Sequence, residues 1–257
     1  MPVFKQLIRK IFKSAGFEIN RIRIPAPATD QRPVGRMDFL LEDLKTRGLQ
    51  CKSILDVGAN NGQWSVMAAN IFPGAQLTLI EPQEEMKQTL SSFCEQFPGS
   101  RFFLCGAGSV ESESVLTVWP DYAGSSFLPP ASSQQLETGK QRVVKVVTID
   151  SLLESGQMLM PELVKLDIQG YELEALKGAE KTFGFTEVYI LEVSLFSFDD
   201  VPGMPVFSEV IKFMSERGYV VYDFPGFLRR PLDGALGQCD ICFVKQRGFL
   251  RKSDRWT

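Results

Sequence analysis

The chain has 257 residues and no histidine. Proton transfer must therefore fall to Asp, Glu, Lys, Tyr or Cys. Ser-His-Asp and Cys-His catalysis, and His-ligated zinc or haem, are excluded outright. Two segments gather residues that could act chemically. The first is Asp56-Val57-Gly58-Ala59-Asn60-Asn61-Gly62. Gly58 permits a tight turn, and Gly62 lets a following helix begin close to a ligand. The amides freed by such a turn hold an anion such as a carboxylate or phosphate. The second segment carries Lys165 and Asp167, which are two apart and so share a strand face. Glu172 follows shortly and Glu192 lies further on. A carboxylate placed there can accept the proton of a hydroxyl, and Lys165 would keep Asp167 ionised.

These residues need a scaffold, and the hydrophobic pattern supplies one. Short apolar runs at 53–57, 76–80 and 102–104 read as strands, alternating with helical patterns at 62–69 and 84–97. That rhythm marks a parallel sheet covered by helices. Strands are also expected at 115–119 and 142–147, separated by a long Ser/Pro/Gly-rich loop. Loops of that length are usually functional or mobile. Further strands at 163–166 and 188–193 flank a helix over 171–183, and a helix over 208–217 precedes strands at 219–224 and 240–245. The connector between the last two is too short for a crossover helix, so they should be antiparallel. The expectation is an α/β fold: a Rossmann-like, doubly wound, mostly parallel seven-stranded sheet with an antiparallel last strand and helices on both faces.

In such a sheet ligands sit beyond the carboxyl ends of the strands. Asp56 closes the first strand, and Glu81 closes the second, 25 positions on. An acid at that second place hydrogen-bonds ribose hydroxyls, which points to an adenosine-type cofactor. The dinucleotide fingerprint G-x-G-x-x-G fails, because Asn60 and Gln63 occupy its second and third glycine positions. Asp56 also suits a cationic ligand better than a pyrophosphate. S-adenosylmethionine, with a sulfonium and an ammonium, matches that demand.

Charge is uneven. Residues 1–24 carry a net +5 and residues 245–257 a net +4, leaving −12 for the body between them. The net charge of −3 argues against a strongly basic nucleic-acid binder, while the two basic ends could meet an anionic membrane surface or nucleic acid. Phe4, Leu7, Ile8, Ile11, Phe12 and Ala15 recur at helical spacing among basic residues, so residues 1–20 read as an amphipathic helix. It would either meet a membrane surface peripherally or dock on the domain. Residues 1–49 then comprise that helix, a Pro-rich connector and a cap helix at 37–47; 50–245 form the cofactor-binding domain; 246–257 form a basic tail. No run approaches a membrane span. The five cysteines are sparse and odd in number, which suits a reducing, cytoplasmic setting. Cys239 and Cys242, three apart on an expected strand, should face opposite ways and so bind no metal.

Taken together, SILDVGANNGQWS (53–65), LIEP (79–82), VVTIDSLL (146–153), LVKLDIQGYELEALKGAEKTF (163–183), ILEVS (190–194) and DICFVK (240–245) resemble the FkbM-type S-adenosylmethionine-dependent methyltransferases over residues 50–245. The resemblance implies O-methylation of a hydroxyl on a sugar, glycolipid, polysaccharide or secondary metabolite. It places Asp56, Gly58, Ala59, Asn60, Asn61 and Gly62 around the methionine end of the cofactor, Glu81 on the ribose, and Gly106 and Ala107 near the adenine. Gln169 stands where many members carry Glu, and Cys105 where an Asn is common.

For the chemistry, Asp167 is the first choice of base, with Glu172 or Glu192 as partner and Lys165 as counter-ion. The alternative is a buried Lys–Asp pair, with the Glu only ordering the turn. Asp167 and Glu192 alone are too few to require a Mg²⁺, so no metal is assigned. Acceptor selection is expected from Tyr122–Ser126, Leu195–Met204 and Phe227–Leu236, where Ser125, Ser126, Asp199, Asp200, Arg229 and Arg230 offer polar contacts. Rival readings are an N-methyltransferase, an NAD-linked oxidoreductase, or a cofactor-binding interaction protein without catalysis.

Overall fold

A computed structural model describes residues 32–198, 201–253 and 255. The amphipathic helix expected over 1–20, most of the connector, Asp199 and Asp200 lie outside the described residues.

The run Ser53–Val57 forms β1, and all five of its residues are buried. Strands covered on both faces read as continuous apolar runs for this reason. β2 (Gln76–Ile80), β3 (Arg101–Phe103), β7 (Leu163–Leu166) and β8 (Val188–Ser194) join it in parallel, and β9 (Tyr219–Arg229) and β10 (Leu236–Lys245) complete the sheet. The order is β3-β2-β1-β7-β8-β10-β9, with β10 inserted antiparallel to both neighbours. The fold is thus the expected Rossmann-like α/β arrangement, with seven strands and the last one in sequence reversed.

Two apolar clusters fill the two faces of this sheet. One contains Leu55, Val57, Leu166, Leu191 and Cys239; the other contains Ile54, Leu163, Ile190 and Cys242. Cys239 and Cys242 are therefore on opposite faces, as their spacing requires on a strand. The helix α1 (Met37–Thr46) buries Leu40, Leu41 and Leu44 in the second cluster, joined there by α2 (Gln63–Ile71) and α3 (Lys87–Gln96). Each buried leucine contributes roughly 1.5–3 kcal/mol, so α1 is part of the core. Phe249 and Leu250, in a 3₁₀ turn at Phe249–Arg251, pack on the same cluster, which ties down the start of the basic tail.

The two strands around the long loop do not enter the main sheet. β5 (Ser112–Thr117) and β6 (Gln141–Val147) pair antiparallel and form a small second sheet with β4 (Gly106–Ala107). The connection between them carries α4 (Ser133–Glu137) and turns back at a bridge between Thr117 and Ser126. A short helix, α5 (Ile149–Glu154), capped by the Thr148 side chain, leads to β7. The helix after β7 is shorter than its pattern suggests: α6 spans Glu172–Lys177, ends at Gly178, and resumes as a 3₁₀ turn at Glu180–Thr182. The helix α7 (Phe207–Glu216) precedes β9.

Strand register lines up one polar row across the second face. Asp56 pairs with Lys165, Lys165 with Ile190, and Glu192 with Asp240. Alternation then places Asp56, Lys165, Asp167, Glu192 and Asp240 on one side of the sheet, near its carboxyl edge.

Candidate active site

Beyond that edge lies a cavity of about 400 Å³, walled by the ends of β1, β2, β7 and β8, by β4, and by residues 121–127. It is within the range of small-molecule sites. Among the described residues, the non-glycine positions with positive φ are Asn60 (46°), Tyr122 (59°) and Gln169 (53°), and all three line this cavity. Such backbone costs roughly 1–3 kcal/mol per residue and collects at functional sites.

At one end the turn after β1 is built by close approach. Gly58 has φ 80°, and a Cβ there would sit 1.9 Å from the Asp167 carbonyl oxygen. Only glycine lets β1 and β7 converge so tightly. Glu81, 2% exposed, faces the same space. Its Oε2 accepts from the Asn60 amide at 2.8 Å, and its Oε1 accepts from the Gln83 amide at 2.9 Å and from Gln83 Nε2 at 3.0 Å. Burial raises its pKa, while these N–H groups pull it back. Gln83 Nε2 and Asn60 Nδ2 also donate to the Tyr122 carbonyl, at 3.0 and 3.3 Å, and Ser125 Oγ donates to Gln83 Oε1 at 3.0 Å. The loop between β5 and β6 is thereby fastened over the cavity. Gly106 leaves room for the Phe127 ring: a Cβ there would lie 2.5 Å from it.

At the other end stands the acid row. Lys165 Nζ donates to Asp167 Oδ2 at 3.0 Å and lies 4.0 Å from Asp56 Oδ1. Burial works against charge on Lys165, but Asp167 and Asp56 outweigh it and hold the ammonium firmly protonated. Burial likewise opposes charge on Asp167; Lys165 prevails and keeps that carboxyl below its ordinary range. Gln169 Nε2 donates to both Asp167 Oδ1 (3.0 Å) and Glu192 Oε2 (2.6 Å), and Gln238 Nε2 donates to Glu192 Oε2 at 3.1 Å. Glu192 is pushed up to about 9 by burial and by the Asp167, Glu172 and Asp240 carboxylates. All of these causes favour its protonated form.

The structure sorts the expected residues. Asp167, Glu192, Gly58, Asn60, Glu81, Gly106 and Ala107 line the cavity. Asp56 does not: it is fully buried, Oδ2 accepts from Ser65 Oγ at 2.6 Å, and Oδ1 makes no hydrogen bond among the described residues. Its strand directs it under α2, toward Ser65, and not into the cavity wall. Ala59, Asn61 and Gly62 are likewise outside the wall, carried away as the turn rises into α2. Lys165 is 6% exposed and reaches the cavity only through Asp167. Glu172 is buried at the start of α6, against the turn that follows β7. Its Oε1 accepts from the Ile168 amide at 2.9 Å and the Gly170 amide at 3.3 Å, and burial raises it to about 7.

Three of the residues expected to meet the acceptor are engaged elsewhere: Ser126 Oγ donates to the Gln169 carbonyl at 2.8 Å, Arg229 to the Gly234 carbonyl at 2.9 Å, and Arg230 pairs with Asp233. Among the described residues no three His, Cys, Asp or Glu side chains are grouped to hold a metal ion. No described helix is long and apolar enough to cross a membrane. Sequence reasoning missed Gln83, Phe127 and Gln238, all in the cavity wall. Only their place beside strand ends or in the long loop could have flagged them.

A Rossmann-like sheet with carboxylates at its strand ends around one cavity is the arrangement in which such folds bind their ligands. The methyltransferase FkbM domain matches residues 56–221, and the chain belongs to that family. It is similar to methyltransferase sdnD of Sordaria araneosa, 27% identical over 156 residues (50% of this chain, 60% of that protein). It is also similar to hexuronic acid methyltransferase AglP of Haloferax volcanii, 27% identical over 141 residues (54% of each). The chain thus spans little more than half the length of these relatives. Among solved structures, the O-methyltransferase TomG of Streptomyces achromogenes in complex with SAM aligns with a TM-score of 0.46, 12% identity, 93% of this chain and 96% of that one.

Proposed function

We propose that the protein methylates a hydroxyl group, using S-adenosylmethionine bound in the cavity between Glu81 and Asp167. The residues present fit that cofactor. A carboxylate offers about four lone-pair sites, and three N–H contacts leave Glu81 one for a ribose hydroxyl. Ile80, Leu116 and Phe127 offer an apolar slot for a flat base. The Asp167 carboxylate at the far end suits a cation. Bound there, the cofactor supplies an electrophilic methyl group.

The chain's own part is alignment and proton removal. Alignment alone can lower such a barrier by about 7–11 kcal/mol. The acceptor hydroxyl proton passes to Asp167. A hydroxyl grows strongly acidic as its oxygen gains a third bond, so a carboxylate held below its usual range still takes the proton. Lys165 holds Asp167 in the accepting, ionised form. A sugar acceptor draws support from the hexuronic acid methyltransferase among the relatives.

The observation that carries this reading is the convergence of Asp167 and Glu192 on the cavity wall opposite Glu81. Calorimetric titration with S-adenosylhomocysteine and, separately, with NAD tests it. Tight binding of the first and none of the second is expected. The reverse pattern would move the protein to the oxidoreductases.

A further inference from the structure

Glu192 Oε2 receives two amide donors, Gln169 Nε2 at 2.6 Å and Gln238 Nε2 at 3.1 Å. In a protonated carboxyl the carbonyl oxygen is the better acceptor of an N–H, and the O–H oxygen is the donor. Two N–H groups on Oε2 leave Oε1 as the oxygen to carry the proton. The two glutamines arrive from different parts of the fold. Gln169 sits in the turn after β7 with a left-handed backbone (φ 53°). Gln238 is near the start of β10, opposite Ser194 and two residues before Asp240, which pairs with Glu192. Glu192 is thus fixed from both sides in the wall of the cavity.

We propose that Gln238 is a positioning residue of the acid pair: with Gln169 it confines the Glu192 proton to Oε1, so that Glu192 offers an O–H while Asp167 stays the open acceptor. This rests on the reading of Asp167 as base. Carboxylates press on Glu192 from several strands: Asp167 from the end of β7, Glu172 from α6 and Asp240 from β10. All three favour the protonated form. Lys165, beside Asp167 and Asp56, supplies the nearby positive charge. The Gln238 N–H works in the other direction, because a donor to a carboxylate oxygen favours the ionised state. It keeps Glu192 protonated on one defined oxygen, yet within reach of release.

The assignment needs no known acceptor to be tested. Glutamate side-chain carboxyl carbons labelled with ¹³C are titrated by NMR in the full chain, in Glu192→Gln and in Gln238→Met, which has similar reach and no N–H. The wild type should show one carboxyl titrating well above neutrality that is missing in Glu192→Gln. In Gln238→Met the same resonance should move up by about one pH unit, the scale of one hydrogen bond to a charged group. Gln238→Asn, which keeps an amide, should fall between the two.

An unchanged midpoint in Gln238→Met overturns the proposal. A downward shift also overturns it, since the Gln238 carbonyl would then have been accepting from Glu192. So does a wild type in which Glu192 is already ionised at neutral pH. S-adenosylhomocysteine binding is measured on the same samples. Its absence in the wild type would count against the cofactor reading and leave the titration result standing.

Discussion

Two strand ends in this sheet carry a buried acid row, and they treat their acids differently. At the end of β1 and β2, Asp56 and Glu81 are held mainly by Ser65, backbone amides and Gln83. Asp56 is sealed beneath α2, while Glu81 keeps one face on the cavity. At the end of β7 and β8, Asp167 and Glu192 are held by side chains alone: Lys165, Gln169 and Gln238. Backbone donors come with the turn and cannot adjust. Side-chain donors can follow a proton as it moves. In the function proposed above, the first end holds the cofactor and the second handles the proton. Lys165 joins them, since its ammonium stands between Asp56 and Asp167.

Removing that link should have the largest effect. Lys165→Met leaves the fully buried Asp56 and the partly exposed Asp167 without a counter-charge, and breaking a buried ion pair costs about 3–5 kcal/mol. Urea unfolding should show a loss of that order, and a loss below ~1 kcal/mol would mean that the two ends are not coupled through Lys165.

Next comes the ligand-holding end. Glu81→Gln exchanges a charged acceptor for a neutral one and disturbs the Asn60 and Gln83 contacts. A hydrogen bond to a charged group is worth about 1.5–3 kcal/mol, so S-adenosylhomocysteine affinity should fall roughly ten- to a hundredfold. Stability should change little. If affinity is unchanged while stability drops, Glu81 serves the turn and not the ligand.

The third effect concerns pH. Glu192 is raised from 4.5 to about 9 in the folded state. Between those values the folded protein holds a proton that the unfolded chain has released, so stability falls as pH rises through that window. Glu172, raised to about 7, adds the same slope over the lower part. Glu192→Gln should flatten the decline above neutrality. Unfolding curves at pH 6, 7.5 and 9 on both proteins read this directly. An identical slope in the variant would show that Glu192 is ionised in the folded state.

Much of this arrangement was legible in the residues. Apolar runs of four or five located β1, β2 and β7, the short β9–β10 connector foretold the reversed strand, and Asp167 and Glu192 stood at strand ends where ligands bind. The absence of histidine pointed to carboxylates. It also suggested that nothing would titrate near pH 7 unless burial raised an acid, and burial does so at Glu172, to about 7, and at Asp240, to about 6. The small second sheet was not legible as a separate layer. Alternating patterns at 112–117 and 141–147 specify strands, but not which sheet they join. The inward turn of Asp56 was hidden too, because a strand-end acid looks alike whether it faces the ligand or the helix beneath. Gln238 acts through Glu192, and Gln83 reaches Tyr122 and Ser125 as well as its neighbour Glu81. A glutamine carries no local signature.

The central claim is that Asp167, held ionised by Lys165, takes the acceptor proton during methyl transfer. Transfer of labelled methyl from S-adenosylmethionine to a glycan or glycolipid extract, compared between the wild type and Asp167→Asn, tests it most directly. General-base catalysis contributes about 10²–10⁴-fold. The variant should therefore lose at least a hundredfold in rate while binding S-adenosylhomocysteine within a fewfold of the wild type. An Asp167→Asn protein that transfers label at the full rate would contradict the account.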